Sequence, residues 1–468
     1  MFTRKLALIC ALACAASAAA PRVAKAGDPP WVRVTSANFV VYSDAGEKRA
    51  RAVSERLESF RALMASLFPA VVRAAHTDQV PVVAFRSDDD FKPFKPLYNG
   101  KPAHAAGVFL QAAEQGMMAL DVTAWEGSSH VIFHEYIHRL LARRDRPVPI
   151  WFDEGVAELY SMAVARGTKA EIGRIVPGQI ELLRERGLMP LDRLFAVGRD
   201  SPEYNELNKQ TVFYAESWLL VHYVTLDKDQ TRASALTQFA ERVGNGEEPA
   251  TAFKAAFGID TAAMDKELKK YLFQLTVPFT SYTFEAPETA EARVEVAPPS
   301  EVEYYLGNTL AFQARFDEAK ARYERAAEAD KASPLPYEGL CFLGVLRGDM
   351  PGVRAAYAEA VKRGSQSFYT HYYFAAASIA AGDTHSPAVR ASLEKAVEIN
   401  PEFADAYARL ADLAIGRGDV TAARSWAERG LKIEPSNTRM LGALANADIR
   451  EAKYDEARKL LTRVAAEA

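Results

Sequence analysis

The chain has 468 residues, of which 49% are hydrophobic and 25% are charged, and 57 Lys and Arg against 61 Asp and Glu give a net charge of -4. This composition suits large folded cores and argues against wholesale disorder, and the near-neutral balance excludes a dedicated nucleic-acid binder. Three cysteines are too few for a disulfide-dense scaffold. The length predicts about three domains.

The N-terminus carries the pattern of a secretory signal peptide. Arg4 and Lys5 precede an apolar run over 6–16, and small residues follow at 24–26. This order predicts a signal peptide over 1–26 and export to a bacterial periplasm or the extracellular space. The run is too short for a transmembrane anchor, and no later segment reaches that length. Residues 11–14 weakly resemble a lipoprotein cleavage box but lack its large aliphatic first residue, so lipid anchoring is the less favoured alternative.

Strand patterns come next and then give way to helical ones. Residues 31–43 are rich in Val and aromatic residues and predict a strand followed by a turn. Apolar residues at helical spacing predict a helix over 47–68, and 80–85 predicts a second strand. Segments 108–111 and 117–122 predict a hairpin. Strands followed by long helices indicate an α+β fold, a small mixed sheet with a helical subdomain.

The sequence pattern changes near residue 300, where a period of about 34 residues appears. Pro401 and Pro435 lie 34 apart, and a Gly-Asp pair recurs at 348, 382 and 418. This pattern resembles the tetratricopeptide repeat, a helical hairpin with small and aromatic residues at its packing positions. It predicts five repeats over 300–468, with a short insertion near 385–387, forming an all-α superhelix that binds a protein partner. Cys341 falls at a small packing position and is predicted to be inert core.

A proline-rich acidic stretch separates the strand-and-helix region from the repeat region. It holds Pro278, Pro287, Pro298 and Pro299 and shows little helical periodicity. The predicted division is therefore a signal peptide at 1–26, a first domain at 30–276, a linker at 277–299 and the repeats at 300–468. Short extended pieces are expected within the linker, around 281–284 and 293–296.

Residues 134–138 contain the metal-binding pattern H-E-x-x-H. Ser128 and Ser129 are expected to cap the helix that carries it. On a helix, His134 and His138 project from one face a turn apart, so that two imidazoles can hold one zinc ion (Zn2+). Glu135 sits beside them, where its carboxylate can take a proton from water activated at that site.

A zinc of this kind needs a third protein ligand and one open position. The segment 149–159 follows a polar turn and predicts a second helix folding back on the first, with Glu154 facing the metal. Gly155 and Ala157 are small enough for close helix approach. Glu158, one turn further, is expected to hydrogen-bond a ligand imidazole, and the competing interpretation is an ordinary ion pair with Arg139 or Arg143.

The segments His134–His138 (H-E-Y-I-H) and Trp151–Glu158 (W-F-D-E-G-V-A-E) together resemble the gluzincin zinc peptidases, in their bacterial peptidase MA-like branch. The resemblance covers roughly residues 31 to 275 and implies Glu154 as third ligand. It also implies that Tyr214, near the start of a helical segment, stabilises the oxyanion, whereas simple core packing of Tyr214 is the alternative. A G-A-M-E-N-type segment is absent before the zinc helix, so endopeptidase action is expected.

Two further histidines are assigned by position alone. His130 shares the face of His134 and His138, but a place in the first helical turn favours solvent exposure. His222 is expected to be a packed core residue. The sequence thus predicts an exported zinc metallopeptidase acting on peptide or protein substrates, with the hairpin of 108–111 and 117–122 offering an edge strand for an extended peptide. The alternatives are a zinc-binding but inactive envelope scaffold, and a scaffold without metal whose repeats alone carry function.

Overall fold

The structure is a computed structural model that describes residues 30–69, 72, 79–98, 100–103, 105–112, 115–141, 148–176, 178–198, 200–204, 211–226, 231–274, 277–285 and 292–466. The predicted signal peptide lies outside these residues. The chain forms two compact units, each drawn from separate stretches. The first comprises Met1–Glu58, Thr77–Ser128 and Thr289–Trp426, and the second Ser59–His76, Ser129–Glu288 and Ala427–Ala468. The predicted domain boundaries stay predictions.

The strands are short. They are β1 (Val32–Thr35), β2 (Phe39–Ser43), β3 (Val80–Phe85), β4 (Leu97–Tyr98), β5 (Lys101–Pro102), β6 (Gly107–Ala112), β7 (Gln115–Asp121), β8 (Val164–Arg166), β9 (Lys169–Ile172), β10 (Thr280–Thr283) and β11 (Arg293–Val296).

Helices make up most of the rest of the described chain. Before the repeats they are α1 (Glu47–Leu67), α2 (Asp88–Phe91), α3 (Trp125–Leu141), α4 (Ile150–Ser161), α5 (Gln179–Arg186), α6 (Leu191–Phe195), α7 (Val212–Thr225), α8 (Thr231–Gly244), α9 (Pro249–Phe257) and α10 (Thr261–Leu272). The later ones are α11 (Pro299–Ala311), α12 (Phe316–Ala329), α13 (Leu335–Arg347), α14 (Met350–Lys362), α15 (Phe368–Ala380), α16 (Pro387–Ile399), α17 (Ala404–Gly416), α18 (Val420–Leu431), α19 (Thr438–Arg450) and α20 (Tyr454–Ala466). None of the helices in the described residues is both long enough and apolar enough to cross a membrane.

The first unit contains a mixed sheet in the order β11-β1-β2-β3-β7-β6. The single strand predicted for 31–43 is wrong, because β1 and β2 pair antiparallel with Val34 opposite Val41. Strands β2, β3 and β7 run parallel, whereas β6 pairs antiparallel with β7 as the predicted hairpin requires. Strand β6 forms one edge of this sheet. Docking of an extended peptide there stays a prediction.

The predicted linker contains two short strands, which contribute to different sheets. Strand β10 pairs antiparallel with β9, which also pairs with β8, and these three strands form a sheet of the second unit. Strand β11 pairs with β1 in the first unit, with Val32 opposite Val296. The short extended pieces expected from sequence are therefore present, and each is held by backbone hydrogen bonds of a sheet.

The helix that opens the repeat region packs on the mixed sheet of the first unit. The Tyr42 hydroxyl donates to Glu301 Oε2 at 2.8 Å, and Arg33 Nη1 donates to both oxygens of the same carboxylate at 2.7 and 2.6 Å. The rings of Tyr42 and Tyr305 lie 4.5 Å apart. Because these contacts join β1 and β2 to α11, the first repeat shares its core with the sheet.

Helices α11 to α20 form five consecutive helical hairpins over the described residues 299–466. Small residues let neighbouring helices approach: a Cβ placed on Gly307 or Gly339 would lie 2.6 or 2.4 Å from the Tyr323 ring. That ring is fully buried, and its hydroxyl donates to Asn308 Oδ1 at 2.7 Å. The loop between α15 and α16 contains the predicted insertion, and Cys341 is buried as expected.

Candidate metal centre

Helix α3 carries the two histidines of the H-E-x-x-H pattern. It begins at Trp125, so the predicted capping by Ser128 and Ser129 is wrong. The turn before the helix is closed by Asp121, whose carboxylate accepts the Thr123 amide at 2.8 Å. The rings of His134 and His138 lie 4.7 Å apart, which is the spacing expected for residues one helical turn apart.

Aromatic packing within the second unit fixes the rotation of α3. The Phe60 and Phe133 rings stack with centroids 3.9 Å apart, and Arg61 donates to the Tyr136 hydroxyl at 2.8 Å. Phe133, which directly precedes the motif, and Tyr136, which lies within it, are both buried. Since these residues hold the apolar side of the helix against α1, the two histidines keep a defined direction.

Helix α4 brings the third predicted ligand to the histidines. Gly155 determines where this helix packs, since a Cβ there would lie 2.4 Å from the Ser217 carbonyl oxygen and 2.6 Å from Val221. Both neighbours belong to α7. The small residue thus permits close approach of α4 to α7, whereas the sequence suggested close approach to the first zinc-motif helix. Glu154, next to it, is only 4% exposed.

Three atoms that can bind a metal converge between α3 and α4. His134 Nε2 lies 3.1 Å from Glu154 Oε2, and His138 Nε2 lies 3.3 Å from the same oxygen. The two Nε2 atoms are 3.0 Å apart. His134, His138 and Glu154 therefore form the three-residue group expected from the sequence, with their ligand atoms within 4.8 Å of one another.

This donor set fits a zinc ion. Ligands about 2.1 Å from a tetrahedral zinc lie about 3.4 Å from one another, close to the observed spacings. Two imidazole nitrogens and one carboxylate oxygen are a common catalytic zinc set, and they leave a fourth position open. The His138 side chain is 22% exposed, so the site has access to solvent on that side.

Each ligand imidazole has a carboxylate at its outer nitrogen. His134 Nδ1 lies 3.3 Å from Glu158 Oε1, and His138 Nδ1 lies 3.3 Å from Asp153 Oδ2. Gln179 Nε2 donates to the other oxygen of Glu158 at 2.9 Å. Such pairs fix the imidazole tautomer with Nδ1 protonated and leave the Nε2 lone pair for a metal. Glu158 therefore makes the imidazole contact expected of it, and Asp153 is a residue that the sequence reasoning missed.

The charges of the site stabilise one another. Burial lowers the pKa of His138, but its hydrogen bonds to Asp153 and Glu154 outweigh this effect and raise the pKa to about 10. Burial raises the pKa of Glu154, whereas hydrogen bonds from His134 and His138 hold it well below its usual range. Metal binding at this site therefore competes with protonation of His138.

The remaining α3 residues of interest are half-buried. Glu135 lies beside the ligand pair with partial exposure, which suits a group that exchanges protons with water. His130 is also half-buried, and the expectation of a solvent-exposed first-turn residue is wrong because the helix begins five residues earlier. Burial lowers the pKa of His130.

Tyr214 lies in α7 and is 0% exposed. Its ring packs against Phe213 and lies 6.0 Å from the Tyr204 ring at an interplanar angle of 24°. The hydroxyl that reaches the ligand carboxylate is that of Tyr204, which donates to Glu154 Oε1 at 3.3 Å. The catalytic role of Tyr214 stays a prediction, and no motif or periodicity in the sequence marked Tyr204.

Two other buried polar groups of α7 are structural. His222 Nε2 lies 3.0 Å from the Gly173 carbonyl oxygen, and the Tyr271 hydroxyl lies 2.9 Å from Nδ1, so this histidine is core as expected. Glu216 accepts the Met189 amide at 2.8 Å and is 0% exposed. Burial raises the pKa of Glu216 to about 8.

Comparison with known proteins identifies the repeats. The tetratricopeptide repeat family matches residues 387–446, which include all of α16, α17 and α18. The C-terminal region therefore contains tetratricopeptide repeats, as the period of 34 predicted. The peptidase resemblance of the preceding region stays a prediction.

The chain is also similar to one curated relative and to several solved structures. A 57-residue stretch is 40% identical to the Hsp70-Hsp90 organizing protein of Triticum aestivum, and it covers 12% of this chain and 10% of that relative. The crystal structure of MamA is 20% identical over 34% of this chain and 93% of its own, with a TM-score of 0.32. The crystal structure of YrrB, described as a TPR protein with an unusual peptide-binding site, is 16% identical in sequence. The match covers 35% of this chain and 82% of YrrB, with a TM-score of 0.32.

Proposed function

We propose that this protein is an exported zinc-dependent metallopeptidase whose tetratricopeptide array binds a protein partner. One observation carries the enzymatic part: His134 Nε2, His138 Nε2 and Glu154 Oε2 converge to within 3.3 Å of one another. A carboxylate at the outer nitrogen of each imidazole supports the same conclusion, because it prepares Nε2 for a metal.

The residues of the site divide the chemistry among them. His134, His138 and Glu154 would hold the ion, which would act as a Lewis acid toward the scissile carbonyl and lower the pKa of water. Glu135 would take the proton from the attacking water and then deliver it to the leaving amine. Asp153 and Glu158 would keep the two imidazoles in one tautomer and orientation.

The repeats support a second candidate function, that of an envelope scaffold which binds zinc but hydrolyses nothing. The observation in its favour is that the family match covers 387–446, within the repeat region. In this case the metal would stabilise α3 and α4, and partner binding would carry the function.

One experiment separates the two candidates. Zinc content and cleavage of a peptide library are measured for the wild-type chain, Glu135→Gln, and the control Glu185→Gln on the exposed face of α5. We expect about one zinc per chain in all three proteins, and a loss of at least about a hundredfold in cleavage rate for Glu135→Gln alone. Zinc without cleavage in the wild type would favour the scaffold, and a chain that binds no zinc would rule out the metallopeptidase.

A further inference from the structure

A tyrosine outside both zinc motifs contacts the third ligand. The Tyr204 hydroxyl donates to Glu154 Oε1 at 3.3 Å. The other carboxylate oxygen, Oε2, faces both imidazoles at 3.1 and 3.3 Å. The two oxygens of Glu154 therefore have different partners: a phenol on one side and the metal-binding nitrogens on the other.

The segment that carries Tyr204 is held in place by local hydrogen bonds. The Tyr204 amide donates to the Ser201 carbonyl oxygen at 3.0 Å, and the Ser201 hydroxyl accepts the Gly198 amide at 2.9 Å. The Tyr204 ring lies 6.0 Å from the rings of both Phe213 and Tyr214 at the start of α7. The Tyr204 phenol thus contacts Glu154 from a hydrogen-bonded turn that packs against α7.

The two tyrosines differ in what their surroundings allow. Tyr214 is completely buried, so its hydroxyl is closed to solvent in this conformation. Tyr204 is half-buried, and its hydroxyl already contacts a residue of the metal centre. The Tyr204 hydroxyl can therefore influence the ligand set directly.

We propose that Tyr204 is a positioning residue of the metal centre, which engages Oε1 of Glu154 so that only Oε2 is presented to the metal. This inference rests on the proposed function. A carboxylate binds a metal through one oxygen or through both, and a hydrogen bond to one oxygen favours binding through the other. Single-oxygen binding preserves the open position that a catalytic zinc requires.

The test compares Tyr204→Phe with Tyr214→Phe in the full chain, because each variant removes one hydroxyl and keeps the ring. Zinc affinity is measured by competition with a chromophoric chelator, and the absorption spectrum of the cobalt-substituted protein reports the coordination geometry. We expect Tyr204→Phe to weaken zinc binding by about 10- to 100-fold and to change the cobalt spectrum. Tyr214→Phe should leave both readouts at wild-type values.

A third variant, Phe213→Leu, controls for ring packing. If it weakens zinc binding as much as Tyr204→Phe does, the packing of the turn accounts for the effect and the proposal is overturned. Wild-type affinity and an unchanged cobalt spectrum in Tyr204→Phe also overturn it. Metal binding without peptide cleavage overturns the proposed function alone, and a wild-type chain that binds no metal overturns both.

Discussion

The metal centre and the repeat array bury their residues in different ways. In the repeats, glycines meet an aromatic ring, as Gly307 and Gly339 do at Tyr323, and the contact is apolar. Buried ionisable groups of the repeats, such as Glu338 and Arg409, lie in different hairpins. In the metal centre, helices α3 and α4 bury such groups together: His134, Glu154 and Glu158 are 4%, 4% and 6% exposed. Burying charge is costly unless each group has a partner of the opposite charge or a metal ion.

This difference predicts which properties a substitution should change in each region. Each repeat packs within its own hairpin and against its neighbours. A substitution in a repeat should therefore lower the free energy of unfolding without changing metal affinity. The metal centre depends on α3, α4 and the turn that carries Tyr204, which are separate in sequence. A change in any of these elements should therefore alter metal affinity as well as stability.

Loss of the shared carboxylate should have the largest effect. Glu154→Gln removes the negative charge of the carboxylate whose Oε2 lies within 3.3 Å of both imidazoles. We expect zinc affinity to fall by more than about a hundredfold, since this exceeds the loss typical of residues that only support a ligand. Isothermal titration of the metal-free protein measures it, with Glu185→Gln as the control. Wild-type zinc affinity in Glu154→Gln would contradict the view that substitutions in the metal centre, unlike those in the repeats, change metal affinity.

Two glycine substitutions compare the regions directly. An alanine Cβ would lie 2.4 Å from the Ser217 carbonyl oxygen at Gly155 and 2.4 Å from the Tyr323 ring at Gly339. Both Gly155→Ala and Gly339→Ala should lower the free energy of unfolding by about 1–3 kcal/mol through overpacking. Only Gly155→Ala should also weaken zinc binding, because it displaces the helix of Glu154. Urea unfolding and zinc titration measure the two effects, and weaker zinc binding in Gly339→Ala would contradict the contrast.

The carboxylates at the outer imidazole nitrogens refine the comparison within the metal centre. Glu158→Gln and Asp153→Asn should each weaken zinc binding by about 10- to 100-fold. The larger loss is expected for Glu158→Gln, since the side chain of Glu158 is 8% exposed and that of Asp153 is 22% exposed. The same titration measures both variants. Equal affinities for both variants and the wild type would show that the imidazoles need no support from these residues.

The smallest effect on metal binding is expected from a buried carboxyl of α7. Burial raises the folded-state pKa of Glu216 from its ordinary value of 4.5 to about 8, so its stabilising effect is fully present below the ordinary pKa and is lost progressively as pH rises to about 8. Glu216→Gln should match the wild type at acidic pH and become increasingly more stable than the wild type as pH rises toward 8. Thermal unfolding across pH 5–9 tests this, with Glu338→Gln as the buried counterpart in the repeats. Parallel pH curves for Glu216→Gln and the wild type would contradict it.

Sequence prediction succeeded where the pattern was local. Strand β3 and helix α1 follow from apolar spacing, and the period of 34 gave the repeat hairpins. It was wrong for 31–43, where β1 and β2 form two strands, because a short turn between two apolar runs leaves little signal. It was also wrong for the start of α3, since the Asp121 side chain closes the turn before Trp125 and the helix begins earlier than the serines indicate.

The residues of the candidate site also fall into two groups: those that the sequence predicts and those that only the fold brings to the site. The sequence alone gave His134, Glu135 and His138 through helical spacing, and Glu154 through a second motif on a helix that folds back. The partners of these residues were decided by tertiary structure. Asp153 meets His138 and Tyr204 meets Glu154 across 15 and 50 residues of chain, and such contacts leave no periodic trace.

What the sequence by itself determined is therefore the set of candidate metal ligands and the repeat period, because both depend on spacing along a helix. Only the tertiary structure decided which carboxylate faces which imidazole, and which of two tyrosines reaches the ligand carboxylate. Those choices depend on the packing of α4 against α7 through Gly155 and on the turn that carries Tyr204. The physical reason is that side-chain geometry at a buried site is set by neighbours distant in sequence.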